Sequence, residues 1–289
     1  MRDQAERLRE LRAQAAHSDI SMNARVIAIA SGKGGVGKSN FAVNLAIQMC
    51  KLGKRVVIVD ADFGLANIEI LLGVAPKHSV SDVLAGKVGI EDALTKGPLG
   101  CLFLSGGTGL AALSEVSDAQ LRRLTNGFLS LDSQTDCIII DTRAGLSNAV
   151  INFVKAAEDI IVITTPDPTA IADAYALIKS LKKTMLEIDS VKLVVNCASS
   201  KDEAFEVFSK LSAVSQRFLG IELELLGVIP YDPFLVKAVR RQKPVSILYP
   251  FSESANSINE ISTGLLNMES NKKSSIQNFV LKLIGKFTS

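Results

Sequence analysis

The sequence predicts a doubly wound α/β domain built on a mostly parallel sheet. Three observations carry that expectation. Short β-branched, apolar runs recur along the chain, segments with helical spacing lie between most of them, and 289 residues at 47% apolar and 21% charged content suffice for one sizeable core. The runs fall at residues 26–30, 56–59, 101–104, 137–140, 160–164, 191–195 and 225–229. Their nearly unbroken apolar character is what strands covered on both faces require. Helical spacing marks residues 40–51, 117–130, 169–183 and 203–218. Strand, helix, strand repetition implies parallel strands joined by right-handed crossovers.

Composition narrows the function. A formal net charge of +2 provides no general basic surface for neutralising nucleic-acid phosphates, so no direct nucleic-acid partner is expected. Cys50, Cys101, Cys137 and Cys197 are far apart, which suits small hydrophobes in a reducing compartment better than bridges or metal ligands. The charged N-terminus and the lack of a stretch of about 18 uninterrupted apolar residues argue against secretion and membrane spanning. A cytoplasmic protein is expected.

The first strand runs directly into Gly32-Lys33-Gly34-Gly35-Val36-Gly37-Lys38-Ser39, followed by Asn40 and a long helix. Gly, four residues, Gly-Lys-Ser between a strand and a helix is a phosphate-binding P-loop. Its glycines let backbone N–H groups turn inward, where they and the positive helix end surround the β- and γ-phosphates. Lys38 adds a point charge, and the Ser39 hydroxyl can ligate Mg²⁺. ATP and Mg²⁺ are the expected cofactors. Asp60 and Asp62 follow the second strand and Asp141 another, at carboxyl ends of strands where open α/β sheets bind ligands. Asp60 and Asp141 are candidate metal ligands, and Asp62 is the candidate for orienting the attacking water.

With Lys33 directly after the first glycine, this loop resembles the signature of the MinD/ParA deviant Walker A ATPases, over residues 25–266 or so. Asp60-Ala61-Asp62-Phe63-Gly64-Leu65-Ala66-Asn67 resembles the switch I motif of that group, and Asp141-Thr142-Arg143-Ala144-Gly145 its switch II, although Arg143 stands where a small residue is usual. The resemblance implies a slow, partner- or membrane-stimulated, Mg-dependent ATPase that forms an ATP-dependent homodimer, with Lys33 reaching the other subunit's phosphates. It also implies base recognition by Asn196 and by Pro230, Tyr231 and Asp232. Within the group the chain is most similar to the flagellar-number regulators of the FlhG (FleN/YlxH) family. That likeness rests on the N-terminal Asp3-Gln4-Ala5-Glu6-Arg7-Leu8-Arg9, on the stretch from Thr164-Thr165-Pro166-Asp167-Pro168-Thr169 through Lys179, on Ala238-Val239-Arg240-Arg241-Gln242-Lys243-Pro244-Val245, and on the tail. It implies regulation of flagellar number or placement with an FlhF-like GTPase docked on Asp3, Gln4, Ala5, Leu8 and Arg9. Flagellar C-ring proteins or a flagellar transcription activator are further implied partners. A MinD-type division-site ATPase is the alternative, and a ParA-type DNA segregation ATPase a more distant one.

The expected organisation is therefore an N-terminal partner-activating helix over 1–20, the ATPase domain over 21–267, and a linker with an amphipathic helix over 268–289. In that last helix Ile276, Phe279, Val280, Leu283, Ile284 and Phe287 share a face of 3.6-residue period. Such a face suits an anionic membrane surface at the inner side of the cell membrane, or packing on its own domain. One copy immersed in lipid would hold weakly; an ATP-bound dimer would present two.

Overall fold

The structure, a computed structural model, describes residues 24–62, 67–107, 118–184, 188, 190–268, 276, 279, 280, 282 and 283. An eight-stranded sheet runs β3-β4-β2-β5-β1-β6-β7-β8. Its strands are β1 (Arg25–Ala30), β2 (Val56–Ala61), β3 (Thr95–Lys96), β4 (Leu102–Leu104), β5 (Cys137–Thr142), β6 (Asp159–Thr164), β7 (Ser190–Ala198) and β8 (Glu222–Pro230). All neighbours are parallel except the short edge strand β3, which pairs antiparallel with β4. Each of the seven expected runs is a strand of this sheet.

Helices cover both faces: α1 (Lys38–Lys51), α2 (Asn67–Leu72), α3 (Val80–Leu84), α4 (Ile90–Ala93), α5 (Asp118–Leu131), α6 (Asn148–Ala156), α7 (Pro168–Thr184), α8 (Lys201–Leu219), α9 (Pro233–Arg240), α10 (Val245–Leu248) and α11 (Glu253–Asn267). The pleat of β1 sorts the core into two layers. Val26, Ala28 and Ala30 join a cluster with Phe128 of α5 and Phe153 of α6, whereas Ile27 and Ile29 face Phe41 and Leu45 of α1 and Ile258 of α11. Local signals set the ends of α8. The Ser200 side chain accepts from Glu203 N at its start, and Gly220 closes it at φ 62°.

At the amino ends of the strands, Arg25 Nε lies 2.5 Å from Asp159 Oδ2, and Lys192 Nζ lies 3.0 Å from Asp159 Oδ1. Burial would raise the Asp159 pKa, but the Arg25 hydrogen bond and the two cations outweigh it and hold the carboxyl below its usual range. Arg25 also donates to the Leu265 carbonyl, tying α11 to the sheet.

The described residues of the tail face do not project from the molecule. Ile276, Phe279, Val280 and Leu283 are buried in the same layer as Phe128, and the Phe279 and Phe128 rings meet edge to face at 5.8 Å. Ile284 and Phe287, like Asp3, Gln4, Ala5, Leu8 and Arg9, lie outside the described residues. Among those described, no helix is long and apolar enough to cross a membrane.

Candidate functional site

The site lies at the carboxyl ends of β1, β2 and β5. Between β1 and α1 the chain turns through Gly35 at φ 80° and Gly37 at φ 91°, left-handed geometry in which glycine carries no side-chain strain. Gly37 is also hemmed in, since a Cβ there would sit 2.2 Å from Asn196 Nδ2. The loop opens onto a cavity of about 560 Å³, lined also by Ser39, Asn40, Asp62, Arg143 and Val239 of α9.

Beneath the loop, carboxylates converge because β2 and β5 are neighbours with Asp60 opposite Asp141. Lys38 Nζ lies 2.5 Å from Asp141 Oδ1, with both side chains buried. Burial and the nearby Asp141 charge push the Asp60 pKa up to about 7, against the hydrogen bonds its carboxylate accepts from Asp62 N and Ile68 N. Asp62 follows β2. Burial raises its pKa, while Lys38 and Arg143 pull it down.

Two oxygens in this cluster, Asp141 Oδ2 and Asp62 Oδ1, are buried and accept no hydrogen bond. The open Asp141 oxygen, beside the Asp60 carboxyl whose charge its neighbour disfavours and with Ser39 lining the same cavity, makes Asp60, Asp141 and the Ser39 hydroxyl a hard-oxygen donor set that fits Mg²⁺, with Asp62 Oδ1 outside it.

The chain at and just beyond the end of β5 is tied to the end of β1 by one backbone and one side-chain hydrogen bond. Gly145 N donates to the Ser31 carbonyl over 2.9 Å, and Thr142 Oγ1 donates to the Ile29 carbonyl over 2.9 Å. Lys33 sits at the cavity rim, where its ammonium lies 3.2 Å from Asp167 Oδ2 and donates to Thr169 Oγ1. The two Thr169 hydrogen bonds, with the Lys33 charge, lower the Asp167 carboxyl to about 2. Asp167 and Thr169 were legible in sequence only as part of the motif-like stretch that leads into α7. Their contacts with the signature lysine span 134 and 136 residues and leave no local signal.

The residues expected at the base divide. Asn196, at the end of β7, donates its Nδ2 to the Val36 carbonyl over 2.8 Å, so part of its amide is spent on the loop itself. Pro230 ends β8, and Tyr231 is 61% exposed beyond it. Asp232 has partners within the fold. Its Oδ1 accepts from Phe234 N at 2.8 Å to cap α9, and its Oδ2 accepts from Ser254 N and Oγ, so both oxygens serve the α9 to α11 junction. A polar residue after a strand reads alike whether it meets a ligand or caps the next helix. Asn40 Oδ1 likewise accepts from Asn44 Nδ2 at 2.9 Å within α1.

Comparison with known proteins agrees with this geometry. The ParA family profile, described as NUBPL iron-transfer P-loop NTPase, matches residues 23–266. The antiactivator FleN of Pseudomonas aeruginosa is 39% identical over 231 residues, which are 80% of this chain and 82% of that protein. The flagellum site-determining protein YlxH of Helicobacter pylori is 32% identical over 276 residues, 92% of this chain and 93% of that protein. Among solved structures, the Aquifex aeolicus MinC:MinD cell division complex has a TM-score of 0.69 at 27% identity, covering 85% of this chain and 97% of that one. MinD complexed with Mg-ADP from Pyrococcus horikoshii has a TM-score of 0.68 at 27% identity, covering 84% of this chain and 96% of that one. With the loop, the paired strand-end carboxylates and the rim lysine in place, the chain belongs to the ParA family of P-loop NTPases, alongside MinD and the FleN and YlxH flagellar proteins.

Proposed function

We propose that the protein is an ATP-driven dimerisation switch that restrains flagellar number or placement. The observation that carries this reading is Lys33. Its ammonium stands at the rim of its own cavity, half-exposed and held by the exposed Asp167 and Thr169. A cation so placed is free to exchange that partner for the phosphates of a second copy, which makes nucleotide state and dimerisation one equilibrium. FleN and YlxH, by their names an antiactivator and a flagellum site-determining protein, direct the reading to flagella.

In hydrolysis, Lys38 would exchange Asp141 for the β- and γ-phosphates, and backbone N–H groups of the loop would hold the same oxygens. Bound Mg²⁺ would supply charge neutralisation at those phosphates, held by Ser39, Asp60 and Asp141. Asp62 Oδ1, accepting nothing, is available to orient the attacking water.

The tail completes the switch. Burying four side chains such as Ile276, Phe279, Val280 and Leu283 is worth roughly 6–12 kcal/mol relative to water. Release into water is therefore strongly opposed. Transfer to a lipid interface exchanges one apolar setting for another, and a dimer would double the lipid side of that exchange. Residues 1–20 would engage an FlhF-like GTPase.

Sedimentation with ATP tests the core of this reading. Wild type should dimerise and hydrolyse ATP, Asp62→Ala should dimerise with hydrolysis strongly slowed but still measurable in single turnover, and Lys33→Ala should remain monomeric. A Lys33→Ala dimer indistinguishable from wild type refutes the switch. Loss of an FlhF-like GTPase from pull-downs on removing residues 1–20 supports the flagellar assignment; recovery of only division or segregation proteins counts against it. Equal pelleting with liposomes in ATP, in ADP and after truncation at Ser275 would remove the membrane step.

A further inference from the structure

Arg143 stands two residues after Asp141, on the loop leaving β5, and lines the nucleotide cavity together with Asp62. Its Nε lies 3.9 Å from Asp62 Oδ1. At that separation the two attract by charge, but no hydrogen bond joins them. Asp62 Oδ1 is buried and accepts no hydrogen bond from any other group. The other cation acting on Asp62, Lys38, is bonded to Asp141. Arg143 itself is 60% exposed, so the fold does not depend on burying it.

A carboxylate that must align a water needs two things that usually conflict. It needs a nearby cation to fix its orientation, and it needs an oxygen whose lone pairs are not already taken. A bidentate guanidinium pair supplies the first and removes the second. The offset approach of Arg143 supplies both.

We propose that Arg143 is a positioning residue for hydrolysis, holding the Asp62 carboxylate toward the cavity while leaving Oδ1 to accept from the attacking water. The proposal rests on the reading of Asp62 as the water-orienting group. It also accounts for a long cation in switch II: Arg143 acts through Asp62 and not through the phosphates.

A double-mutant cycle in the full-length protein tests this, using single-turnover ATP hydrolysis together with ATP and ADP affinities measured with fluorescent nucleotides. Arg143→Ala should lower the hydrolysis rate about tenfold while ATP and ADP affinities stay within about twofold and thermal melting is unchanged. Arg143→Lys should restore part of the rate. In an Asp62→Ala background the same Arg143→Ala change should cost nothing further. Selective loss of ATP over ADP affinity, persisting without Asp62, would make Arg143 a phosphate contact and overturn the proposal. So would a wild-type rate in Arg143→Ala. If wild type hydrolyses nothing, the ATPase reading falls and takes the proposal with it. If Asp62→Ala hydrolyses normally, the assignment of Asp62 falls, whatever Arg143 does.

Discussion

Lys38 and Asp141 form a buried ion pair 2.5 Å long beneath the phosphate loop, joining the first helix to the central strand β5. Each charge is balanced by the other inside the fold.

Removing one partner of that pair should cost more than removing both. Lys38→Ala leaves a buried carboxylate alone, and urea unfolding should show a loss of about 3–5 kcal/mol. Lys38→Ala with Asp141→Asn should recover most of it, although neither protein should hydrolyse ATP. A double mutant as unstable as the single one would show that the two charges are not coupled.

Asp60 makes the nucleotide-free protein sensitive to pH. Its folded-state pKa of about 7 lies above the ordinary carboxyl value, so between about pH 4 and 7 the folded chain holds a proton that the unfolded chain releases. The stabilisation is fully present below pH 4 and is lost as pH rises through 7. In Mg-free buffer, Asp60→Asn should flatten this slope and stabilise the protein at pH 8 by roughly 1–3 kcal/mol, while weakening Mg-nucleotide binding. Denaturant midpoints at pH 5 and pH 8 give the comparison.

The Lys33 to Asp167 contact is exposed, so it restrains the lysine only weakly. Asp167→Asn should tighten the ATP-dependent dimer by no more than about fivefold and leave ATP affinity of the monomer unchanged. Analytical ultracentrifugation over a protein concentration series measures the shift. A weaker dimer would mean that Asp167 serves the assembled state instead.

The docked tail should report on the domain beneath it. Phe279→Ala removes a ring packed edge to face on Phe128 and should destabilise the protein by about 3 kcal/mol. Phe128→Ala should cost a similar amount, and the two losses should be less than additive. Fully additive losses in thermal unfolding would place Phe279 elsewhere.

Much of this arrangement was legible in the residues. Seven apolar runs become strands because parallel strands buried on both faces must be apolar throughout, and Gly32 to Ser39 declares its chemistry by composition. The edge strand β3 was not, since Thr95 and Lys96 are too short to show a period. Helix α6 passed unmarked because Asn148–Ala156 spans only 9 residues, too few turns for a helical period to stand out from an apolar run. The cap that Asp232 gives α9 was not marked in sequence, because a helix cap and a ligand contact use the same residue at the same kind of place. Lys33 announced a role but not its resting partners, which only the folding of β6 beside β1 brings near. The tail's periodicity specified an apolar face and left its neighbour open, because lipid and protein interior select the same side chains.

Gly32 adds a mechanical consequence. A Cβ there would lie 2.1 Å from the Asp173 carbonyl, so the start of the phosphate loop rests on the backbone of α7 with no clearance. That helix begins beside Asp167 and Thr169, where Lys33 is held. A movement of the loop as phosphate enters has no slack to absorb it, and α7 must shift with the loop or resist it. The lysine's anchor and the phosphate cradle are thereby geared together, and the smallest side chain in the protein is the tooth at which they engage.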